Sequence, residues 1–175
     1  MQINMSELFS IEGGSKNWQI PLEMKEFRWN GKRYPVTDAS PVDLTIVHVG
    51  SRKMKITGKV DFHLTIPCDR CLQPVDVPFQ LTLDQDVDTN ATAEERIAAL
   101  DEQSFIQGYE LDVDRLVCDE LIVNMPMKVL CRQDCKGVCP NCGANRNLQD
   151  CGCDLTELDP RMSVIRDIFN MQTKK

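Results

Sequence analysis

KVDFHLTIPCDRCLQPVDVPFQLTL, residues 59–83, contains two runs in which apolar and polar side chains alternate. A period of two is typical of a β-strand that buries one face and exposes the other. The apolar residues are Val60, Phe62, Leu64 and Ile66 in the first run, and Val77, Phe79, Leu81 and Leu83 in the second. The stretch therefore predicts two strands joined by a short link that carries Cys68 and Cys71.

The same alternation occurs upstream, in VDLTIVHVG at residues 42–50, and GSRKMKITG after it predicts a turn and more strand. Successive strands with tight links predict an antiparallel β-rich body, arranged as a meander or a partly closed barrel. One main helix is predicted from about Asp112 to Met125, before Pro126. Residues 1–35 begin with a predicted helix or loop, and FRWNGKRY at residues 27–34 then supplies basic residues among aromatics. Together these elements indicate the α+β class.

Two shorter helices complete the prediction. Thr92 and Glu95 form a capping box for a short helix over Thr92–Leu100. Asp159 as N-cap and Pro160 at the first helical position predict a C-terminal helix.

The length of 175 residues and the 42% hydrophobic composition allow one sizeable core and a small appendage. We predict a β-rich body with an acidic insertion and the main helix over residues 1–125. Residues 126–175 are predicted to form a cysteine-rich, zinc-binding segment with a C-terminal helix. We expect the two parts to pack as one unit.

Six of the nine cysteines lie in CRQDCKGVCPNCGANRNLQDCGC, residues 131–153. Within it, CPNCG is typical of a zinc knuckle, because Pro140 stiffens the turn and Gly143 supplies backbone freedom after the second ligand. Four thiolates leave a zinc ion no open position, which favours a structural role over a catalytic one.

Eight cysteines fit two sites of four thiolates. The sequence predicts Cys139, Cys142, Cys151 and Cys153 in one site, and Cys68, Cys71, Cys131 and Cys135 in the other. One zinc ion with four spare thiols remains an alternative, as does a disulfide framework in an oxidising compartment. A redox dithiol at Cys68 and Cys71 lacks the expected βαβ context. Cys118, inside the main helix, is predicted to be a small buried hydrophobe.

The net charge of −7 is unevenly distributed. Residues 76–120 carry two Lys/Arg against thirteen Asp/Glu, whereas residues 16–70 carry ten against six. In the basic region, cations and stackable rings alternate in a way that suits single-stranded RNA. The candidate RNA-binding residues are Arg28, Trp29, Lys32, Arg33 and Tyr34. The alternative is that these charges only solvate a surface.

Catalysis is not supported by any motif. The sequence has no Gly-rich phosphate loop and no Ser/His/Asp grouping, and His48 and His63 have no predicted partner. We therefore predict a non-enzymatic protein without a small-molecule substrate. The N-terminal residues do not resemble a signal peptide and no apolar run has membrane length, so we expect a cytoplasmic protein.

Three stretches resemble the YceD-type family, the large ribosomal RNA subunit accumulation proteins. They are GKVDFHLTIPCDRCLQPV, DVDRLVCDELIVNMPM and the cysteine-rich tail from Cys131 to Phe169, which is similar to the cysteine-rich branch of the family. The resemblance runs from about Thr57 to Phe169 and supplies no catalytic residue. It implies a role in accumulation of large-subunit ribosomal RNA.

Two functions follow from this resemblance and from the charge pattern. The first is a factor in large-subunit ribosome biogenesis that contacts ribosomal RNA, ribosomal protein or both. The second is an acidic interaction module or chaperone, in which residues 76–120 capture a basic ribosomal protein.

Overall fold

The computed structural model describes residues 1–51, 53–90, 94–95 and 103–153. The predicted C-terminal helix lies outside these residues, as does the predicted helix over Thr92–Leu100 apart from Glu94 and Glu95. The chain divides into two compact units. The β unit consists of Met1–Pro67 and Pro74–Val129, and the cysteine unit, among the described residues, consists of Cys68–Gln73 and residues 130–153.

The β unit contains nine strands and two helices among the described residues. In chain order they are β1 Gln2–Asn4, α1 Ser6–Phe9, β2 Ser15–Ile20, β3 Glu26–Trp29, β4 Lys32–Ala39, β5 Val42–Gly50, β6 Lys53–Pro67, β7 Pro74–Asp88, β8 Ile106–Gln107, β9 Glu110–Asp112 and α2 Val113–Asn124. None of the described helices has the length and hydrophobicity needed to cross a membrane.

The two 15-residue strands β6 and β7 form the long hairpin around which the main sheet is built. They pair without interruption from Lys53 opposite Asp88 to Pro67 opposite Pro74. Strand β6 also pairs with β5 along its first half and with β4 near its end. Strands β2 and β3 extend the sheet from β5 and β4. The antiparallel α+β prediction is confirmed, and no barrel closes among the described strands.

Alternation along the strands places their apolar residues in the hydrophobic core. Phe62 and Phe79 face each other across β6 and β7, with ring centroids 5.5 Å apart and planes 11° from parallel. Such an aromatic pair contributes about 0.5–1.5 kcal/mol beyond the burial of its surface. The hairpin predicted from residues 59–83 therefore supplies both paired strands of the main sheet and apolar side chains of the core.

Helix α2 begins where the sequence predicts. The Asp112 carboxylate accepts a hydrogen bond from the Arg115 N–H at 3.2 Å and caps the helix. Pro126 restricts Met125 to extended backbone, so the helix ends at Asn124. The buried residues recur at helical spacing and are Val113, Leu116, Val117 and Leu121.

The N-terminal region differs most from the prediction. The beginning of residues 1–35, predicted as helix or loop, contains β1 and the short α1, and β2, β3 and the start of β4 follow where no strand was predicted. Asn30 and Gly31 have φ angles of 49° and 75° and form a two-residue turn between β3 and β4. The prediction was wrong because these strands are short and only partly alternate, so partner strands determine their conformation.

Candidate metal centres and nucleic-acid surface

Two cysteines of the cysteine unit are held by the turn that follows β6. The Cys68 N–H donates to the Gln73 carbonyl at 2.8 Å, and the Leu72 N–H donates to the Cys68 carbonyl at 2.9 Å. Leu72 has a φ of 62°, in the left-handed region. These bonds close a tight turn that directs the Cys68 and Cys71 sulfurs to the same side, as a Cys-x-x-Cys ligand pair requires.

The loop after Leu130 brings a second pair of cysteines to this turn. The Arg70 carbonyl accepts the Val138 N–H at 2.9 Å, and the Arg70 guanidinium donates to the Cys135 carbonyl at 2.8 Å. A Cβ at Gly137 would lie 2.9 Å from the Arg70 carbonyl oxygen, so only glycine permits this approach. We call the resulting group of Cys68, Cys71, Cys131 and Cys135 the first tetrad.

A second knuckle forms around CPNCG. The Cys139 N–H donates to the Ala144 carbonyl at 2.8 Å, and the Gly143 N–H donates to the Cys139 carbonyl at 2.8 Å. Gly143 has a φ of 73°, as the sequence predicts for the residue after the second ligand. The sulfurs gathered here, which we call the second tetrad, belong to Cys139, Cys142, Cys151 and Cys153.

Both tetrads have the dimensions of a tetrahedral thiolate site. Within each tetrad all four sulfurs lie within 4.8 Å of one another. A zinc ion with Zn–S bonds of about 2.3 Å requires sulfurs roughly 3.8 Å apart. In the first tetrad Cys71 and Cys131 are 3.6 Å apart, and Cys68 and Cys135 are 3.9 Å apart. The grouping of the sulfurs agrees with the sequence, while metal binding itself stays a prediction.

None of the nine cysteines forms a disulfide, so the eight clustered sulfurs are all available as ligands. Four sulfur donors with no carboxylate suit a soft or borderline metal such as zinc. When bound, the ion would neutralise the thiolates and hold the loops together. With every coordination position filled by the protein, the arrangement is that of a structural site.

The pKa values of the first tetrad diverge. Burial alone would raise the pKa of Cys68, but three backbone N–H groups donate to its sulfur and lower its pKa to about 6. Burial and hydrogen bonds with the neighbouring sulfurs raise the pKa of Cys131 to about 12. One thiolate is therefore stabilised by the backbone, while another sulfur keeps its proton.

The second tetrad follows the same pattern. The backbone N–H of Cys142 is the largest influence that lowers the pKa of Cys139 to about 6. The side chain of Cys142 is the largest influence that raises the pKa of Cys153 to about 12. Adjacent thiolates repel one another, so full ionisation requires a compensating cation. Both tetrads thus fit a divalent metal ion in charge as well as in geometry.

Asn147 is a site residue that the sequence did not indicate. Its side-chain N–H donates to the Cys135 sulfur at 3.2 Å. Its carbonyl oxygen accepts hydrogen bonds from the Lys136 backbone N–H and the Arg132 guanidinium, both at 2.8 Å. Partners of this kind orient metal ligands and stabilise their thiolates. No spacing rule distinguishes this asparagine from the others in GANRNLQD.

The candidate RNA-binding residues lie on the hairpin of β3 and β4. Arg28 pairs with Arg33 across the hairpin, and Trp29 pairs with Lys32 beside the turn. Arg28 and Arg33 are both exposed. The Arg28 guanidinium already donates to the Glu26 carboxylate, with its Nε 2.7 Å from Oε1. The structure therefore brings two of the predicted cations together on one exposed face.

The aromatic residues of this set lie on the other face of the hairpin. Tyr34 is 5% exposed and stacks on Phe27, with ring centroids 6.3 Å apart. Trp29 is half-buried and packs against the hydrophobic core. The two residues alternate with the arginines along their strands, which separates rings from guanidinium groups. Tyr34 consequently belongs to the core and offers no surface for base stacking.

Charge on the neighbouring strands is matched within the β unit. Lys55 on β6 forms ion pairs with Asp84 at 2.9 Å and Asp86 at 3.6 Å on β7. Lys53 pairs in the same way with Asp88 at 3.8 Å. Part of the acidic block is thus neutralised by the basic strand beside it. Arg52, another cation of this turn, lies outside the described residues.

The remaining titratable candidates have structural partners. His63 Nδ1 lies 2.6 Å from the Asp76 carboxylate in an exposed pair, and this hydrogen bond lowers the pKa of Asp76. His48 is buried, and its Nδ1 lies 3.0 Å from the Ile11 carbonyl oxygen. Cys118 is half-buried beside Met24, and burial raises its pKa to about 11. The described residues bring no nucleophile and base together around these groups.

Comparison with known proteins gives one family. A family model described as "Large ribosomal RNA subunit accumulation protein YceD" matches residues 56–169. An uncharacterised protein of Mycobacterium tuberculosis is 28% identical over 137 residues, which cover 75% of this chain and 63% of that protein. An uncharacterised protein of Mycobacterium leprae is 24% identical over 152 residues, covering 86% of this chain and 65% of that protein.

A plant protein also matches the chain. It is "Large ribosomal RNA subunit accumulation protein YCED homolog 1, chloroplastic" of Arabidopsis thaliana, 25% identical over 155 residues, which cover 73% of this chain and 48% of that protein. The chain spans about 63% of the length of the Mycobacterium tuberculosis relative. No solved structure shows significant similarity to the chain.

Proposed function

The chain belongs to the YceD family of large ribosomal RNA subunit accumulation proteins, and on this basis we propose that it is a non-enzymatic factor in large-subunit ribosome biogenesis. It supports accumulation of large-subunit ribosomal RNA through contacts with that RNA, with ribosomal protein, or with both. The single observation that carries the proposal is the family match over residues 56–169.

Zinc serves a structural role in this proposal. The two tetrads supply eight thiolate ligands, and each tetrad fixes loops that have no core of their own. Thiolate sites of this kind persist in reducing compartments. We accordingly propose that the protein acts in the cytoplasm.

Contact with RNA is assigned to the exposed cations of the β3–β4 hairpin. Arg28 and Arg33 share one exposed face of the hairpin, and Lys32 is exposed beside the turn, opposite Trp29. A protein of net charge −7 can approach a polyanion only through such a segregated face. Because the aromatic residues face the core, the contact is made to phosphates rather than to bases.

The second candidate is capture of a basic ribosomal protein, and the surface of α2 favours it. Ile122 and Val123 are 45% and 80% exposed, and they follow the acidic Glu120 in the same helix. Exposed apolar side chains beside carboxylates suit a partner that combines apolar and basic residues. The carboxylates of β7 contribute less, since the ion pairs with β6 already occupy several of them.

One experiment separates these candidates. The full-length protein carrying an affinity tag is recovered from growing cells, and its RNA and protein partners are identified separately with and without nuclease treatment. For the RNA arm, cells are crosslinked before recovery and denaturing washes remove the protein partners. Large-subunit ribosomal RNA that is still attached to the tagged protein supports direct RNA contact. A basic ribosomal protein that remains after nuclease supports the second candidate. Recovery of neither partner contradicts both.

A further inference from the structure

The two tetrads differ in how well they are protected from solvent. In the first tetrad Cys68, Cys71 and Cys135 are 0%, 4% and 2% exposed, and Cys131 is its one solvent-accessible member. In the second tetrad only Cys139 is buried, whereas Cys142 is exposed. Reaction of a thiolate with a peroxide requires access to the sulfur. Three cysteines of the second tetrad are at least partly accessible, against one in the first, so the second tetrad is the more reactive group.

The tetrads also differ in what holds them together. The first tetrad joins chain segments 60 and 67 residues apart and has Asn147 and Arg70 bound to Cys135. The second tetrad is formed entirely within the 15 residues Cys139–Cys153. Its sulfurs can therefore change partners through local loop movement, while those of the first tetrad are restrained by two segments.

We propose that the second tetrad is an oxidation site, at which a peroxide converts Cys142 and one neighbouring cysteine of the tetrad to a disulfide. Cys142 is the exposed member, so its sulfur is attacked first. All three other sulfurs of the tetrad lie within 4.8 Å of it, close enough to resolve the oxidised cysteine. This inference rests on the metal-bound state proposed above.

The reaction balances with hydrogen peroxide as the oxidant. The Cys142 thiolate attacks one peroxide oxygen, the O–O bond breaks, and hydroxide leaves as water after taking a proton from solvent. The resulting sulfenic acid is attacked by a neighbouring thiolate, which forms the S–S bond and releases a second water with a second proton from solvent. The two sulfurs lose two electrons and the peroxide gains them. A metal ion held by the tetrad loses two of its four ligands, so its release reports the reaction.

The test uses reduced, zinc-loaded full-length protein. Zinc content is measured first, which tests the metal proposal by itself. Hydrogen peroxide is then added, zinc release is followed with a chromogenic chelator, and disulfides are mapped by mass spectrometry after alkylation. We expect the zinc equivalent of the second tetrad to leave at least about tenfold faster than that of the first, because Cys142 has partly accessible neighbours that can complete the disulfide, whereas the sulfurs around Cys131 are buried. We expect the first disulfide to contain Cys142 and to be reversed by dithiothreitol.

Two matched variants assign the phases. Cys142→Ser should abolish the fast phase and retain the slow one, whereas Cys71→Ser should retain the fast phase. Cys118, outside both tetrads and half-buried, serves as an internal cysteine that should stay reduced. If either variant fails to fold, disulfide mapping on the unsubstituted protein identifies which tetrad is oxidised first. A first disulfide within Cys68, Cys71, Cys131 and Cys135, or equal oxidation rates of the two tetrads, would overturn the proposal whatever the zinc content.

Discussion

At the scale of single residues, Asn147 connects three parts of the cysteine unit through one amide. It donates to the Cys135 sulfur and accepts from the Lys136 backbone and the Arg132 side chain. The same amide therefore fixes the position of a ligand and stabilises its negative charge. Loss of the side chain removes these bonds, together with its hydrogen bond to the Asn145 side chain, and leaves the first tetrad without this support.

Asn147→Ala should weaken zinc binding at the first tetrad by about 10–100-fold, the usual effect of removing a hydrogen-bond partner of a ligand. Competition with a chelator of known affinity measures the change. Gln149→Ala is the matched control, because Gln149 is exposed and its side chain makes no hydrogen bond to a cysteine among the described residues. Equal affinities for the two variants would contradict the role assigned to Asn147.

The pKa values of the tetrads predict how metal binding depends on pH. Cys131 and Cys153 keep their protons at neutral pH because their pKa values are raised to about 12, so a metal must displace those protons. Apparent affinity should therefore rise with pH, by about tenfold per pH unit for each proton displaced. Chelator competition at pH 6, 7 and 8 checks this. Affinity that is constant over that interval would mean that no proton is released on binding.

At the scale of elements, the β3–β4 hairpin places its arginines and its aromatic residues on opposite faces, although they are neighbours in the sequence. The run from Arg28 to Tyr34 looks like a mixed surface of cations and rings. Pairing in the hairpin directs alternate side chains to opposite faces, so the arginines are exposed while Tyr34 is buried. The separation of rings from cations follows from the hairpin turn at Asn30–Gly31, and the sequence prediction for residues 1–35 did not include that turn.

The combined change Arg28→Glu, Lys32→Glu and Arg33→Glu should lower affinity for ribosomal RNA and leave the fold and the zinc content unchanged. Loss of three phosphate contacts should reduce the slope of log affinity against log salt by about 2, from roughly 0.7 per contact on single strands. Fluorescence anisotropy at several salt concentrations measures both quantities.

A control with the same charge change distinguishes this hairpin from a general electrostatic effect. Lys16→Glu, Lys53→Glu and Lys59→Glu alter three exposed cations on β2 and β6. If the two triple variants lose affinity equally, net charge rather than the hairpin governs binding. If neither loses affinity while both stay folded, the hairpin is not an RNA contact, and the protein-capture proposal gains weight.

Trp29→Ala separates packing from base stacking on the same hairpin. Since Trp29 is half-buried against the core, we expect the free energy of unfolding to fall by roughly 1–3 kcal/mol. RNA affinity should change much less than in the triple variant. Urea denaturation and anisotropy give the two numbers. A loss of about 1–3 kcal/mol in RNA binding at unchanged stability would instead indicate stacking on a base.

An element can be predicted from the sequence when the residues that determine its conformation lie within the element itself. The β6–β7 hairpin and α2 were predicted because alternation and the N-cap at Asp112 are local signals, although β6 begins at Lys53, within the stretch that predicts a turn and more strand. The cysteine grouping was predicted because ligand spacing is also local. By contrast, β2 and β3 depend on pairing with β5 and β4, and Asn147 depends on contacts across a loop.

At the scale of the whole molecule, the division into a β unit and a cysteine unit predicts that metal loss has local effects. Protein purified under reducing conditions should contain close to two zinc equivalents, one for each group of four thiolates. Elemental analysis measures the content. One equivalent would remove one of the two sites, and none would contradict the metal proposal.

Cys142→Ser should loosen the chain around the second tetrad while the β unit stays folded, because that tetrad is formed within residues 139–153. Hydrogen exchange read peptide by peptide should show faster exchange there and no change over residues 42–85. Faster exchange across residues 42–85 would show that the two units depend on each other. The substitution Cys139→Ser tests the same tetrad from its buried side and should act alike.

The first tetrad also imposes an order in time. A ribosome synthesises Cys71 sixty-four residues before Cys135, so at about 5–20 residues per second the ligands become complete roughly 3–13 s after the β6–β7 turn is made. During that interval the strands of the hairpin can pair, but the turn carries two thiols without their partners. During this stage another thiol or metal-binding group can react with Cys68 and Cys71 before the first tetrad forms. The metal supply during translation therefore affects the yield of folded protein.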